Sequence, residues 1–180
     1  MTGAPKGSPL RLGIAGLGTV GGGVIRMVEE NADLLTARCG RSVQVTAVSA
    51  RDRSRDRGLD LSAFAWHDDP VDLARSDEID VFVELIGGDE GPARDAVEAA
   101  IAAGKDVGTA NKALIAHHGT ALARAAEDAG VALNFEAAVA GGIPIVKAMR
   151  EGLAGNRYAR VYGILNGTCN YILSAMRDSG

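Results

Sequence analysis

Leu10-Arg11-Leu12-Gly13-Ile14-Ala15-Gly16-Leu17-Gly18-Thr19-Val20-Gly21 decides the fold. A short apolar stretch runs into a Gly-x-Gly-x-x-Gly loop, and a helical pattern opens beyond it. There Val24, Val28 and Leu35 recur near helical spacing while Glu29, Glu30 and Asp33 take other faces. Further out, residues 43–48 are rich in β-branched side chains and predict a second strand. A charged loop, 51–60, follows without apolar periodicity. Residues 80–86 predict a strand ended by Gly87-Gly88, and Pro92 fits the first turn of a helix running to about Ala103, with Gly104 at its C-terminal cap. Residues 106–109 predict a short strand, 120–129 a helix stopped by Gly130, and 131–136 a further strand.

Such β-α-β alternation predicts an α/β fold with a doubly wound parallel sheet of Rossmann type, spanning residues 10–140. Residues 1–9, polar and rich in Pro and Gly, predict a disordered lead-in. Near Ala140 the texture changes: Gly141-Gly142-Ile143-Pro144 breaks the pattern, 146–153 looks helical, 158–165 predicts a strand and 168–177 opens a helix. This reads as a hinge into the beginning of a second, α+β domain, residues 141–180, whose remainder is absent from the sequence.

Composition supports that reading. Of the 180 residues 47% are hydrophobic and only 4% aromatic, so the core is built from Ala, Val, Ile and Leu, which suit parallel strands covered by helices. A net charge of −4 gives no electrostatic case for nucleic acid or an anionic membrane as partner. Cys39 and Cys169 form no CxxC pair, which removes support for a zinc site or disulfide framework and makes reduced thiols the expectation. With no signal-like segment at the start and no apolar run of about 18 residues, the expected setting is cytoplasmic.

The glycine loop has a physical logic in this context. Its first glycine permits a tight turn, its second lets backbone approach a pyrophosphate, and its third lets helix pack closely on strand. The helix start then offers N–H donors to the phosphates. Gly16, Gly18, Thr19, Val20 and Gly21 are therefore candidate cofactor-binding residues. NAD-preferring loops usually carry an acid at the end of the second strand, to accept from the ribose 2′-OH. Here that strand runs into Ser49-Ala50-Arg51, and the guanidinium of Arg51 suits a 2′-phosphate. NADP is the favoured cofactor, with NAD left open because Asp52 is one residue away. Arg53, Arg55 and Arg57 are expected to lie in solvent and pair with Asp52, Asp56 and Asp60.

Four further segments carry a resemblance. They are Glu84-Leu85-Ile86-Gly87-Gly88, Gly108-Thr109-Ala110-Asn111-Lys112-Ala113-Leu114-Ile115-Ala116, Phe135-Glu136-Ala137-Ala138-Val139-Ala140-Gly141-Gly142-Ile143-Pro144 and Gly163-Ile164-Leu165-Asn166-Gly167-Thr168-Cys169-Asn170-Tyr171-Ile172-Leu173. In order and spacing they resemble homoserine dehydrogenase, from Leu10 to the last residue. The resemblance implies reversible NAD(P)-dependent interconversion of L-homoserine and L-aspartate 4-semialdehyde, a step toward threonine, methionine and isoleucine. It implies that Lys112 lies beside the nicotinamide and the reacting oxygen, as a hydrogen-bond donor or proton relay, where otherwise it would read as a helix-start lysine in solvent. It implies that Thr109 contacts the cofactor and that Gly87 and Gly88 let backbone approach its nicotinamide side, while Asn111 shapes the turn.

The same resemblance implies a monovalent cation, sodium by expectation, held by Glu136 and the carbonyls of Val139, Gly141 and Ile143. The other reading of Glu136 is a cap on local backbone N–H groups. It also implies a homodimer or homotetramer in the full-length enzyme. His67, His117 and His118, with no partner acid evident, read as surface side chains. Cys169, where the family usually has threonine, reads as packed rather than nucleophilic. The family's substrate-binding acid, and the Asp and Lys that handle homoserine and the proton, would lie beyond Gly180. The expectation is thus that these 180 residues bind NADP without useful turnover of homoserine. Two other readings stand beside this one. One is a different small-substrate NAD(P) oxidoreductase, such as an aspartate dehydrogenase or dihydrodipicolinate reductase, against which the 109–112 and 166–173 segments count. The other is a non-catalytic nucleotide-binding module.

Overall fold

The computed structural model describes residues 7–163 and 167–179, with the side chains of 167–170 left aside. Six parallel strands form one sheet in the order β3-β2-β1-β4-β5-β6. They are β1 (Leu10–Ala15), β2 (Val43–Ser49), β3 (Ala65–His67), β4 (Val81–Glu84), β5 (Asp106–Thr109) and β6 (Leu133–Asn134). The order reverses at β1, so the crevice past the ends of β1 and β4 is the switch point where ligands of open α/β sheets bind. Strand faces alternate as a pleat requires. Ile14 and Val48 join Leu17 of the glycine loop and Ile25 of the first helix on one side, whereas Ala15, Ala47, Phe82 and Val107 meet Leu73, Ala96 and Leu114 on the other. Full burial of side chains such as Phe82, Ile14 and Ile25 is worth roughly 1.5–3 kcal/mol each.

Eight helices connect or follow the strands among the described residues: α1 (Thr19–Glu30), α2 (Ala32–Cys39), α3 (Pro70–Arg75), α4 (Pro92–Ala102), α5 (Lys112–Ala129), α6 (Glu136–Val139), α7 (Ile145–Lys147) and α8 (Gly167–Ser179). A π-helical turn, Ala148–Gly152, follows α7. The first helical pattern is two helices. Asn31 closes α1 through both its N–H and its Nδ2 to the Met27 carbonyl, and its own carbonyl accepts from Leu35 to begin α2. β3 and α3 lie in a stretch where the sequence predicted no element.

Several boundaries moved for identifiable reasons. α5 starts at Lys112, eight residues before the predicted helix, because Asn111 Oδ1 accepts the Leu114 N–H as an N-cap. The strand predicted over 131–136 keeps only Leu133–Asn134. Its first residues are spent elsewhere, Val131 N–H on the Ala126 carbonyl and Ala132 N–H on Asp106 Oδ1. Glu136 therefore begins a short helix instead of ending a strand. The helix predicted over 146–153 is α7 and the π turn. The strand predicted over 158–165 is corrected: residues 158–163 form no strand, having no partner among the described residues to complete a ladder. Its last two residues, and 1–6 of the predicted lead-in, lie outside the described residues.

Exposure differs between the two parts of the chain. Tyr162 (90%), Tyr171 (76%) and Leu173, Met176, Val161 and Ile143 (62–63%) are exposed large apolar side chains. Val20, Met27 and Leu34 are the exposed large apolar side chains before residue 140 among the described residues, and the rest follow it.

Candidate cofactor and active site

Glycine at 16, 18 and 21 serves three separate ends. Gly16 sits at φ +100°, a left-handed backbone, and any Cβ there would strike the Leu85 carbonyl. Gly21 is the packing glycine, since a Cβ on it would run into the Gly16 carbonyl oxygen. Gly18 faces nothing within 4 Å. Open space thus lies over the middle glycine, where a phosphate would come closest. Gly18 is also the N-cap of α1 with no side-chain cap, and the first helical bond is Gly22 N–H to its carbonyl. The N–H groups of Thr19, Val20 and Gly21 at the helix start are left for an anion. Val20 itself is exposed.

Beside this loop opens a cleft of about 520 Å³, bordered by Gly16, Gly18, Ser49, Arg51, Asp68 and Pro92 among others. Ser49 is buried at the end of β2, and its carbonyl accepts the Gly16 N–H at 2.8 Å, tying the loop to the strand. Arg51 is exposed, lines the cleft and has no hydrogen-bond or ion-pair partner among the described residues. Its neighbours behave differently from expectation. Asp52, Asp56 and Asp60 do not pair with arginines; each accepts an N–H two residues on, from Ser54, Gly58 and Ser62. The Ser54 hydroxyl and N–H hold the Asp52 carboxyl below its usual range.

Arg57 is a staple of that loop, donating to the carbonyls of Leu17 (3.2 Å), Arg55 (2.7 Å) and Asp52 (2.5 Å). Its guanidinium and that of Arg53 lie 5.9 and 5.6 Å from the Trp66 ring centroid, within cation–π range. Of the four arginines, Arg51 and Arg55 line the cleft with their side chains unpaired.

Farther along the same strand ends lies a second arrangement. Gly87 and Gly88 are exposed at φ +85° and +83°, successive left-handed residues that side chains would strain. Glu84, wholly buried at the end of β4, accepts from the N–H groups of Ile86 (2.7 Å) and Gly87 (3.0 Å) through one oxygen. Its other oxygen accepts from Thr109 Oγ1 at 2.5 Å. Thr109 Oγ1 in turn accepts the Asn111 N–H, and Asn111 Nδ2 donates to the Gly88 carbonyl. These bonds also shorten β4, because the N–H groups of Ile86 and Gly87 go to Glu84 and not to a ladder. Lys112 follows as the first residue of α5, exposed and without a partner among the described residues. Thr109, Gly87, Gly88 and Lys112 are therefore brought to one edge. The resemblance implies no role for Glu84, and burial of a strand-end glutamate among residues distant in sequence leaves no local signal.

Glu136 accepts the N–H groups of Val146 (3.0 Å) and Lys147 (2.9 Å), one on each oxygen, and so anchors α7. Val139, Gly141 and Ile143 lie on α6 and the turn after it, where Gly142 has φ +84° and the Ile143 carbonyl accepts from Ile145 N–H. The three histidines do have acid partners, contrary to expectation: His67 with Glu78 (3.0 Å), His117 with Asp89 (2.5 Å) and His118 with Glu90 (2.8 Å). They remain surface pairs.

Comparison with known proteins agrees along the chain. The family model for the homoserine dehydrogenase NAD-binding domain matches residues 16–136, and that for homoserine dehydrogenase matches 144–180. A homoserine dehydrogenase of Pseudomonas aeruginosa is 50% identical over 172 residues, and one of Neisseria gonorrhoeae 46%. Each alignment covers 96% of this chain but 39% of the relative, so the chain spans about two fifths of the length of these curated relatives. The crystal structure of a homoserine dehydrogenase from Thiobacillus denitrificans superposes with a TM-score of 0.86 at 48% identity, covering 96% of this chain and 40% of that one. No described helix is long and apolar enough to cross a membrane.

Proposed function

Because the chain belongs to the homoserine dehydrogenase family and carries its NAD-binding domain, we propose that it forms the cofactor half of an NADP-dependent oxidoreductase that interconverts L-homoserine and L-aspartate 4-semialdehyde. The observation that carries this reading is one sheet edge holding both an open phosphate loop at Gly18 and an anchored turn that presents Lys112. The residues fit a dinucleotide: space over Gly18, uncapped N–H groups at α1 and an unpaired guanidinium at the ribose end. When bound, the nicotinamide ring supplies the hydride acceptor or donor. Gly16, Gly18, Thr19, Val20 and Gly21 hold the pyrophosphate, while Gly87, Gly88 and Thr109 shape the space for the ring. Lys112, as an ammonium, donates a hydrogen bond to the alcohol or aldehyde oxygen and offsets the charge that builds on it, while the proton lost as the alcohol is oxidised passes to water. In the full-length enzyme, L-homoserine should drive reduction of NADP; bound cofactor with no homoserine-dependent reduction would sink this reading.

Arg51 is proposed as the NADP selector. A charge-assisted pair to a 2′-phosphate is worth roughly 1.5–3 kcal/mol, so Arg51→Ala should weaken NADP about ten- to hundredfold and leave NAD nearly unchanged. Titrating both cofactors into both proteins checks it, and equal losses would remove the role.

Glu136 and the carbonyls of Val139, Gly141 and Ile143 are proposed to hold a monovalent cation. A carboxylate has lone pairs beyond the two used on Val146 and Lys147, and the donor set is all hard oxygen. The ion would brace the turn without entering the chemistry. Full activity after exchange of sodium for tetramethylammonium would exclude it. A homodimer or homotetramer is supported by the exposed apolar side chains past residue 140, and a monomer in sedimentation would count against it. The exposed thiol of Cys39 fits a reducing, cytoplasmic setting.

A further inference from the structure

Glu84 is the one charged side chain among the buried residues described, and nothing in the proposed chemistry uses it. Burying a carboxylate is costly unless donors surround it. Glu84 has three donors: two N–H groups from the turn after β4, at Ile86 and Gly87, and the hydroxyl of Thr109 from the turn after β5. No cation contacts it among the described residues. Every contact therefore fixes the position of a loop, and the two loops involved are those that carry Gly87-Gly88 and Asn111-Lys112. The linkage continues through Thr109 Oγ1 to the Asn111 N–H, from Asn111 Nδ2 to the Gly88 carbonyl, and from Asn111 Oδ1 to the first turn of α5.

We propose that Glu84 is a positioning residue for hydride transfer, locking the Gly87–Gly88 turn and the Thr109–Lys112 turn in register so that Lys112 and the ring-side backbone face one reacting centre. The inference rests on the functional reading above. It deepens that reading by locating a determinant of turnover beneath the site, in a residue that touches neither substrate nor cofactor. Its consequences should be confined to the nicotinamide side, because the pyrophosphate and ribose are gripped by Gly18, the start of α1 and Arg51, none of which contacts Glu84.

Glu84→Gln in the full-length enzyme is the direct test. The amide oxygen can still accept from Ile86 and Gly87, but the NH2 group meets Thr109 as a donor, which reverses the bond between the two turns. Misplacement of reacting groups by an ångström or less costs roughly ten- to hundredfold in rate. The expected result is a fall of that size in kcat at saturating NADP and homoserine, with the dissociation constant for NADP within about threefold of wild type. Thr109→Val, which removes the hydroxyl, should fall in the same direction, and Thr109→Ser, which keeps it, should recover most of the rate.

An unchanged kcat in Glu84→Gln would overturn the proposal. So would a loss of cofactor affinity that accounts for the whole fall in kcat/KM with kcat preserved. Should Glu84→Gln fail to fold, the Thr109 pair decides, and equal kcat for valine and serine would overturn it. If wild type itself binds NADP but does not oxidise homoserine, the functional reading fails instead. In that case both outcomes are visible in one set of measurements.

Discussion

The two halves of the candidate ligand-binding edge are built on opposite plans. Around Gly16–Gly21 and Arg51 the chain leaves things unfilled: open space over Gly18, uncapped N–H groups at α1, a guanidinium without a partner. Around Glu84, Thr109 and Asn111 nearly every polar atom is spent on another part of the protein. The first half is suited to binding, since unsatisfied groups gain most from a ligand. The second is suited to orientation, since turns fixed before the ligand arrives need no reorganisation during reaction. On the proposed function, a single sheet edge divides affinity from geometry.

The sharpest way to break that division is within the glycine loop. Gly21→Ala forces a methyl group against the Gly16 carbonyl oxygen, a backbone atom with no rotamer by which to retreat. Strain of this kind costs about 3 kcal/mol, and the loop, the start of α1 and cofactor affinity should all suffer together. Gly18→Ala adds the same methyl where nothing lies within 4 Å. Its fold and unfolding midpoint should match wild type while NADP affinity falls about tenfold or more, because the added carbon occupies space the pyrophosphate requires. Calorimetric titration and denaturant unfolding of the two variants check both arms. If Gly18→Ala binds NADP normally, the open space is not where the phosphates sit.

These two plans were unequally legible in the sequence. The binding half is written locally: a strand, three glycines and a helix start within a dozen residues, so the apolar stretch is found as β1, Leu10–Ala15, with Gly16 in a tight turn and Gly21 packed against it. β5 was equally plain, over 106–109. The orienting half is assembled from residues about 25 apart, such as Glu84 and Thr109. No window that seeks periodicity can see such a pairing. Resemblance supplied Lys112, Thr109 and the two glycines, but gave no reason for the glutamate beneath them.

Elsewhere the misses trace to short elements. β3 is three residues and α3 six, too brief for either period to show, although Asp69 before Pro70 is an N-cap signal that could have marked α3. The Asp69 carboxylate does accept the Val71 N–H. The arginine loop misled for a different reason. Its aspartates satisfy their own turns, which freed Arg57 to clasp three carbonyls and left Arg51 and Arg55 facing the cleft.

A smaller effect at the opposite edge of the sheet serves as a control for the division. Arg11 at the start of β1 donates to both oxygens of Asp80, just before β4, at 2.7 and 3.2 Å, and to the Asp77 carbonyl at 2.7 Å. That guanidinium holds the Asp80 carboxyl below its usual range, against the opposing effect of partial burial. A carboxyl depressed in the folded state stabilises the fold at pH values above its unfolded value of about 3.9, and the contribution fades as pH falls through the lower folded value. Side-chain exposures of 37% and 26% mean that solvent screens the pair, which limits its worth to about 1 kcal/mol at neutral pH. Arg11→Met keeps much of the apolar stem and removes the charge. The variant should be less stable than wild type by up to that amount at pH 7, and the gap should narrow as pH falls below the unfolded value of about 3.9 and close once pH passes the lower folded value of Asp80. NADP affinity at pH 7 should not change, because the pair lies at the N-terminal ends of the strands, away from both halves of the crevice. Urea unfolding at a series of pH values, with one cofactor titration at neutral pH, checks all three statements. A gap that persists undiminished into acid would mean that packing of the Arg11 stem, and not its charge, stabilises this edge.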